Sequence, residues 1–313
     1  MRSASTPAST SLTDGALDPL TRPAATIAAV AEIRKVGVAG LGAMGAGIAQ
    51  LCVEAGVETI GREVSGEFAE RARDRIAHFL TRKVEKGTIA QVDRDAAVAR
   101  LTLTTEVADL AGCDLVIEAI VEELEPKREL FAELDRLTSP EAVLATNTSA
   151  LSVTEIASAT KRPERVVGMH FFNPAPLMPL VEIVRAELTG DDAFETAFAF
   201  GERIGKSPIR AHDTPGFVVN RVLIPLLNDC IRVLDESRVT PEDLDSGMKH
   251  GAGWPMGPCA LVDLVGIDVH VHASEALYEK TREQRMAPPP RLVAMRNAGL
   301  LGRKSGRGFY SYD

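Results

Sequence analysis

The sequence lacks the features that a membrane protein or a nucleic-acid-binding protein requires. No apolar run approaches the ~20 residues of a membrane-spanning helix. Acidic side chains outnumber basic ones by 44 to 35, which gives a formal net charge of -9. Such a chain has no overall positive field with which to attract nucleic acid or an anionic membrane surface. We therefore predict a soluble protein with no nucleic-acid partner and no membrane partner.

Cysteine pairs and metal-binding patterns are also scarce. The four cysteines lie far apart in the chain and form no C-x-x-C pair; they are Cys52, Cys113, Cys230 and Cys259. Their apolar neighbours predict buried, reduced thiols, as expected of a cytoplasmic protein. His270 and His272 would point to different faces of a helix, so we predict no metal site.

Residues 1–31 show no periodic apolar pattern and are rich in Ser, Thr, Ala and Pro. A segment of this composition buries too little apolar surface to fold by itself. It also lacks the apolar central region of a secretory signal. We therefore predict a disordered N-terminal extension.

The most informative stretch is rich in glycine and runs from Val36 to Gln50. A short apolar run there reaches G-L-G-A-M-G and passes directly into a helical pattern. Gly40 suits a sharp turn, Gly42 leaves room for a pyrophosphate, and Gly45 lets the helix pack closely against the strand. The free N–H groups at the helix N-terminus are expected to receive the diphosphate. The candidate cofactor contacts in this turn are Gly40, Leu41, Gly42, Ala43, Met44 and Gly45.

An acidic residue follows at the distance that ribose binding requires. Residues 58–62 form a predicted second strand, and Glu63 comes directly after it, about 20 residues past the glycines. A carboxylate at this position accepts hydrogen bonds from the ribose hydroxyls and repels a 2′-phosphate. The pattern therefore favours NAD over NADP as the cofactor.

Strand and helix patterns alternate through the first two thirds of the chain. Predicted strands cover 58–62, 98–103, 114–118, 142–146, 165–172 and 180–184, and predicted helices cover 66–86, 125–137, a segment from 152, and 191–205. Later periodicity is helical, over 217–234, 241–249, 259–265 and 267–278. This order predicts an α/β protein, with a Rossmann-type doubly wound sheet domain followed by an all-α C-terminal domain. The predicted bounds are 32–212 for the NAD-binding domain and 213–313 for the helical substrate and dimerisation domain.

Four polar residues lie near the ends of predicted elements. Ser149 follows a strand, where ligands bind in open α/β sheets, and Asn220 lies on the first helix of the second domain. His170 and Glu182 lie in two strands joined by a short turn, so they can be neighbours. A buried carboxylate needs a partner, and this pattern predicts a pair in which the histidine acts as general base. A satisfied core histidine and a solvent-facing glutamate remain the alternative interpretation.

Several motifs extend this pattern along most of the chain. Between Ile33 and Tyr312 they read GLGAMGAGIAQ, DLVIEAIVEELEPK, TNTS, GMHFFNPAPLMPLVEIV, DTPGFVVNR, WPMGP and GRKSGRGFY. In this order and spacing, the motifs resemble the L-3-hydroxyacyl-CoA dehydrogenase family, of the 3-hydroxybutyryl-CoA dehydrogenase type.

The resemblance implies a reaction and a role for each matching residue. The reaction is NAD-dependent oxidation of a (3S)-3-hydroxyacyl-CoA, and its reverse, with His170 as the base and Glu182 as its partner. Ser149 and Asn220 match residues that hold the substrate oxygen and thioester, and Lys86 can contact a CoA phosphate. The family's other cofactor contacts fall on Glu63, Glu122, Lys127, Asn173 and Lys304. The resemblance also implies an acyl-CoA partner and a homodimer formed through the C-terminal helices.

The chain departs from the family pattern at three positions. Phe79 stands where some relatives have a serine near the CoA moiety, which leaves the acyl carrier open. Gly61 interrupts the second strand, and Cys259 follows the W-P-M-G-P turn where an aromatic residue is common. The last two departures concern packing more than chemistry.

Three alternative functions are considered. The 6-phosphogluconate and 3-hydroxyisobutyrate dehydrogenases share the glycine turn, but they rely on a catalytic lysine where this chain has Asn220 and Arg221. The same chemistry on an acyl group tethered to a carrier protein would place the enzyme in biosynthesis. The third alternative is a non-catalytic NAD-binding or structural protein. Against it stand four intact residues, namely Ser149, His170, Glu182 and Asn220.

Overall fold

The computed structural model describes residues 31–312 of the chain. The predicted N-terminal extension, apart from its last residue, lies outside the described residues. The strands of one eight-stranded sheet are β1 Lys35–Ala39, β2 Glu58–Arg62, β3 Leu101–Thr104, β4 Leu115–Glu118, β5 Val143–Thr146, β6 Val166–Phe171, β7 Leu180–Arg185 and β8 Ser207–His212.

The strands lie in the order β3-β2-β1-β4-β5-β6-β7-β8. Strands β1 to β6 are parallel, β7 runs antiparallel to β6, and β8 is parallel to β7. The chain leaves β1 toward β2 on one side and returns to β4 on the other. The carboxyl ends of β1 and β4 therefore frame the crevice in which open α/β sheets bind their ligands. This topology confirms the predicted α/β fold class.

Helices flank the sheet and then form a region of their own. Those within the sheet region are α1 Ala43–Glu54, α2 Gly66–Glu85, α3 Gln91–Ala99, α4 Leu124–Leu137, α5 Val153–Ala157 and α6 Asp191–Arg203. Those after β8 are α7 Val219–Ser237, α8 Pro241–Gly251, α9 Pro258–Val265, α10 Ile267–Thr281 and α11 Pro290–Asn297. None of the helices within residues 31–312 combines the length and the apolar character needed to cross a bilayer.

Apolar side chains cover both faces of the sheet and fill the centre of the helical region. Side chains alternate between the two faces of a strand, so Ile117 of β4 joins one buried cluster and Val116 joins another. The helical region has its own cluster, which includes Ile231, Val262 and Val271. Separate cores are typical of two domains, while the boundary at residue 212 remains a prediction.

The structure contains three elements that the sequence patterns do not predict, namely α3, β8 and α11. Helices α3 and α11 bury one residue each, Ala97 and Leu292, so neither carries an apolar stripe. Strand β8 lies at the edge of the sheet, and most of its side chains are exposed or half-buried. The strand predicted at 98–103 is wrong in its bounds, because α3 continues to residue 99 and β3 begins at residue 101.

Helical spacing of Phe68, Ala72, Ile76, Phe79 and Leu80 predicts a face of α2 packed on the sheet, and this prediction is wrong at two aromatic positions. Ala72, Ile76 and Leu80 are buried, but Phe68 and Phe79 are 49% and 48% exposed. The buried residues recur every four positions and face the sheet. Phe68 lies in the first turn of the helix, and Phe79 lies one position outside the buried stripe.

The four cysteines are free and buried, which confirms the prediction of unpaired, buried thiols. Burial raises the pKa of the Cys52 and Cys113 thiols to about 12. Both thiols therefore stay protonated at neutral pH and are poor nucleophiles.

Candidate active site

The glycine-rich turn joins β1 to α1 at the carboxyl end of a central strand. Gly40 has a φ of +90°, and a Cβ added there would lie 2.7 Å from the Ala119 carbonyl oxygen. A Cβ at Gly45 would lie 1.7 Å from the Gly40 carbonyl oxygen, which would prevent the close approach of helix and strand. A Cβ at Gly42 would meet no heavy atom of the described chain within 4 Å. The turn therefore leaves open space beside Gly42, the space that a diphosphate needs.

The N-terminus of α1 adds hydrogen-bond donors to this open space. The helix begins at Ala43, with neither a capping side chain nor an acidic residue in its first turn. The first N–H groups of a helix lack intrahelical acceptors, and the helix dipole favours an anion there. The N–H groups of Ala43 and Met44 are therefore suited to a phosphate. The residues present fit a dinucleotide cofactor.

Glu63 lies beside the glycine-rich turn, at the end of β2. Its carboxylate accepts hydrogen bonds from the N–H groups of Leu41 and Val64, each at 2.8 Å. Gly61 permits this arrangement, because a Cβ there would lie 2.8 Å from the Leu41 Cδ1 atom. The glycine that interrupts the second strand therefore has a packing role.

The structure brings His170 and Glu182 together at the carboxyl end of β6. The two residues face each other in the antiparallel register of β6 and β7. His170 Nδ1 lies 2.6 Å from Glu182 Oε2, and the two residues are 3% and 0% exposed. A carboxylate is an acceptor only, so Nδ1 carries the proton of this hydrogen bond. In the neutral ring, Nε2 then holds the lone pair that can take a proton from a ligand.

Aromatic rings and a backbone contact fix this pair further. The His170 ring centroid lies 4.7 Å from that of Phe172 and 5.5 Å from that of Phe217. The other oxygen of Glu182, Oε1, accepts hydrogen bonds from the N–H groups of Val218 at 3.1 Å and Val219 at 2.9 Å. These amides stand where α7 begins. One carboxylate therefore joins the histidine ring to the first turn of the helical region.

This contact determines where Asn220 lies. Asn220 follows Val219 directly in the first turn of α7 and is half-buried. The preceding residue, Val219, donates its N–H group to Glu182. The structure therefore brings Asn220 to the same end of the site as the His170 and Glu182 pair.

Ser149 is exposed in the segment that follows β5, the strand next to β6. Glu122 Oε1 shapes this segment by accepting hydrogen bonds from Thr148 Oγ1 at 2.6 Å and from the Ser149 N–H group at 2.7 Å. Asn147 Oδ1 accepts a hydrogen bond from the Phe171 N–H group at 2.9 Å. The segment carrying Ser149 is thereby tied to the end of the strand that carries the histidine.

Lys127 lies behind Glu122 rather than at the surface. The lysine is 1% exposed, and its ammonium group forms ion pairs with Glu118 and, at 3.3 Å, with Glu122 Oε2. Burial opposes ionisation of Glu122, but the Lys127 charge and the hydrogen bonds around Ser149 outweigh it and lower the pKa of Glu122. In this structure the ammonium group of Lys127 is buried and is paired with Glu118 and Glu122.

A cavity of about 480 Å³ opens beside the glycine-rich turn, between α1, α2 and the segment that follows β6. Lys86, a predicted substrate contact, and Asn173, a predicted cofactor contact, both line it. Arg75, Phe79 and Arg82 also line it, and neither arginine belongs to a motif that predicts a binding role. The sequence signal for this binding face is the spacing, since residues 75, 79, 82 and 86 share one face of the helix.

The cations of this face differ from the others on α2. Arg71 and Arg73 pair with glutamates of the same helix, whereas Arg75, Arg82 and Lys86 have no acidic partner within the described part of the chain. Unpaired cations beside a cavity create a field that suits phosphate groups.

Lys304, a predicted cofactor residue, has an acidic partner of its own. Its ammonium group pairs with Asp268 Oδ1 at 2.5 Å, in the first turn of α10. No hydrogen bond or ion pair within residues 31–312 joins Lys304 to the glycine-rich turn. In this structure the Lys304 charge is paired within the helical region.

Two family models match this chain in succession. The model described as "3-hydroxyacyl-CoA dehydrogenase, NAD binding domain" matches residues 35–214. The model of the C-terminal domain of the same family matches residues 216–312. Together they cover nearly all the described residues.

Individual relatives agree with the family models. A 3-hydroxybutyryl-CoA dehydrogenase of Mycobacterium tuberculosis is 45% identical over 282 residues, which cover 90% of this chain and 99% of the relative. A 3-hydroxyadipyl-CoA dehydrogenase of Escherichia coli is 40% identical over 90% of this chain and 59% of its own. The crystal structure of an (S)-3-hydroxybutyryl-CoA dehydrogenase from Ralstonia eutropha matches with a TM-score of 0.87 and 38% identity, over 90% of this chain and 100% of that one.

Proposed function

This chain belongs to the 3-hydroxyacyl-CoA dehydrogenase family, whose members are NAD-dependent enzymes, and on that premise we propose its reaction. The enzyme oxidises a short-chain (3S)-3-hydroxyacyl-CoA, such as 3-hydroxybutyryl-CoA, to the 3-oxoacyl-CoA, and it catalyses the reverse reaction. The observation that carries the proposal is the 2.6 Å contact between His170 Nδ1 and Glu182 Oε2, at the carboxyl edge of the sheet that also carries the glycine-rich turn. Five relatives at 40–45% identity carry the name 3-hydroxybutyryl-CoA dehydrogenase, two of them as probable, and these names support the short acyl chain.

His170 is the proposed general base. Its Nε2 accepts the proton of the 3-hydroxyl group as the C3 hydrogen leaves with its electron pair. Bound NAD supplies the hydride acceptor, which is the cofactor's own chemistry. In the reverse direction the imidazolium returns the proton to the carbonyl oxygen.

Glu182 and two polar residues support this proton transfer. The Glu182 carboxylate keeps the histidine proton on Nδ1 and stabilises the imidazolium that forms. Ser149 and Asn220 are the proposed donors to the substrate oxygen and thioester, where partial negative charge develops. Glu63, Glu122 and the glycine-rich turn are the proposed cofactor contacts, with Asn173, Lys127 and Lys304 as further candidates.

The cavity beside the turn supports CoA as the acyl carrier. CoA carries a diphosphate and a 3′-phosphate, and the cavity is lined by Arg75, Arg82 and Lys86. Phe79, exposed on the same helix face, offers an aromatic surface to a base. We propose that these residues receive the nucleotide end of acyl-CoA.

The test is the consumption of NADH with acetoacetyl-CoA, followed by the absorbance of NADH. Parallel reactions contain NADPH in place of NADH, or the acetoacetyl group on an acyl carrier protein in place of CoA. Rapid turnover with NADH and the CoA ester supports the proposal. Absence of turnover with any acetoacetyl donor, together with intact NAD binding, would favour a non-catalytic NAD-binding protein.

The second candidate function is the same reaction on an acyl group held by a carrier protein. The exposed arginines of α2 are the observation that favours it, since acyl carrier proteins are acidic and a local basic surface can dock them. Activity on the carrier form, with none on the CoA ester, would establish this alternative.

We further propose that the protein is a cytoplasmic homodimer of fatty acid metabolism, with a helical dimerisation domain at 213–313. Free, buried cysteines suit a reducing compartment. Exposed apolar side chains on α7, α9 and α10 support an interface, namely Val222, Leu264, Val265 and Val269. Light scattering during size-exclusion chromatography tests the subunit count, and a monomer mass at micromolar concentration contradicts the dimer.

A further inference from the structure

The wall of the cavity opposite α2 is a segment without regular structure, residues 173–179, called here the cavity loop. It joins β6 to β7, and Asn173, Pro174, Pro176 and Leu177 line the cavity. The loop is largely exposed, with Leu177 at 77%. Its shape therefore depends on contacts made behind it.

Lys206 makes the main polar contact behind the cavity loop. Its Nζ atom donates hydrogen bonds to the carbonyl oxygens of Ala175 at 2.6 Å and Met178 at 2.8 Å. Lys206 is 8% exposed and forms no ion pair within residues 31–312. A buried ammonium group is costly unless its donors are satisfied, so the lysine and the loop carbonyls depend on each other.

Two further contacts fix the ends of this arrangement. The Ser207 N–H group, next to Lys206, donates to the Pro179 carbonyl oxygen at 2.7 Å. On the other side the loop packs on α1, where a Cβ at Gly47 would lie 2.9 Å from Pro176 Cδ and 3.2 Å from Ala175 Cβ. The loop is thus held between α1 and the start of β8.

The charges that act on Lys206 are those of Glu54 and Lys83. Lys83, which lines the cavity, pairs with Glu54 at the end of α1 at 2.5 Å. Burial lowers the pKa of the Lys206 ammonium group, and the Glu54 carboxylate opposes that shift. The lysine remains a donor to two carbonyl oxygens in either protonation state, because a neutral amine still carries two protons.

We propose that Lys206 is a positioning residue that sets the affinity of the site for acyl-CoA by holding the cavity loop, without touching the substrate. The inference rests on the proposed function for its substrate, and on the geometry alone for the loop. Substitution of Lys206 should therefore change binding at the cavity more than the chemical step at His170.

The test compares Lys206→Met with wild type in the acetoacetyl-CoA assay. We expect the KM for acetoacetyl-CoA to rise about tenfold, the effect of losing roughly one charge-assisted hydrogen bond, while kcat changes less than twofold. Arg162→Met is the matched control. Arg162 binds Asp135, Thr138 and a backbone carbonyl before the amino end of β6, at the opposite edge of the sheet. It should lower Tm and leave KM unchanged.

A second readout does not depend on catalysis. Limited proteolysis by thermolysin should cut Lys206→Met at the exposed Leu177 about tenfold faster than wild type, whereas Arg162→Met should show no acceleration there.

If Lys206→Met does not fold, Lys206→Gln replaces it in both measurements, because the glutamine amide can donate to one of the two carbonyl oxygens. An unchanged KM together with unchanged cleavage at the loop would overturn the inference. A wild-type protein inactive on acetoacetyl-CoA would overturn the proposed function, while the proteolysis still decides the role of Lys206.

Discussion

Two buried histidines in different regions of the molecule have different neighbours. His170, in the sheet region, lies 2.6 Å from the carboxylate of Glu182. His270, on α10 of the helical region, lies 2.8 Å from the amide oxygen of Asn228. Its other ring nitrogen has no partner within the described residues. Burial lowers the pKa of His270 to about 4.

The difference shows that burial alone does not decide what a histidine does. An amide oxygen accepts a hydrogen bond from a neutral imidazole but adds no charge with which to stabilise an imidazolium. The Asn228 amide is itself held by Ser274 and by the carbonyls of residues 285–287, so no carboxylate is hydrogen-bonded to the His270 ring or to its amide partner within the described residues. A carboxylate partner on Nδ1, with Nε2 left to accept a proton, is what suits His170 to proton transfer.

The largest expected effect comes from replacing the histidine that has the carboxylate partner. His170→Gln should lower kcat by ~100-fold or more, because a general base contributes about 10²–10⁴-fold. NAD binding should stay intact, since the glycine-rich turn and Glu63 lie on other strands. Turnover and isothermal titration with NAD measure the two quantities. Turnover near the wild-type value would show that another group takes the proton.

Replacing the partner rather than the ring should have a smaller effect. Glu182→Gln removes the charge that stabilises the imidazolium. Its amide has one acceptor oxygen where the carboxylate has two, so an NH2 donor faces either the Nδ1–H group of His170 or the N–H groups of Val218 and Val219. Loss of about 1.5–3 kcal/mol of charge-assisted bonding corresponds to a ~10–100-fold lower kcat. A kcat equal to that of wild type would remove the carboxylate from the mechanism and with it the contrast between the two histidines.

The second histidine should affect acid stability instead of turnover. The unfolded ring binds a proton below pH ~6.5, whereas His270 in the fold binds one only near pH 4. Stability is therefore lost as the pH falls through this window, by ~3 kcal/mol at its lower end. Urea unfolding of wild type and His270→Gln at pH 7 and pH 4 measures the difference. Equal losses in the two proteins would mean that His270 is protonated in the folded state.

The smallest effect is expected at His272, which lies two residues further along the same helix and is exposed. His272→Gln should change the free energy of unfolding by less than ~0.5 kcal/mol at either pH. This variant is the control for the loss of any histidine, because it removes an exposed imidazole and leaves the buried His270 in place. An acid sensitivity altered as much as in His270→Gln would show that burial is not the cause.

Much of the site could be predicted from the sequence because its parts are local. The glycine-rich turn lies within one loop, and His170 and Glu182 lie in strands joined by a short connection. The exposed face of α2 was also accessible, since Arg75, Arg82 and Lys86 recur at helical spacing. The predicted burial of Phe79 is wrong because helical periodicity identifies the apolar face of a helix but not how far the sheet extends beneath that face.

Other features depend on contacts between distant segments and have no local pattern. The bond from Glu182 to the start of α7 joins residues 36 and 37 positions apart. The bonds from Lys206 to the cavity loop span 28 and 31 positions, and a single lysine before an edge strand looks like an exposed residue. Strand β8 also has no local apolar pattern, because an edge strand exposes most of its side chains.

The most direct test of the contrast is one measurement of kcat on wild type, His170→Gln and His270→Gln with acetoacetyl-CoA and NADH at pH 7. The carboxylate-paired histidine is predicted to be indispensable and the amide-paired one dispensable. We therefore expect a ratio of ~100 or more between the two variants, with His270→Gln close to wild type. Similar kcat values for the two variants would contradict the assignment of His170 as the base.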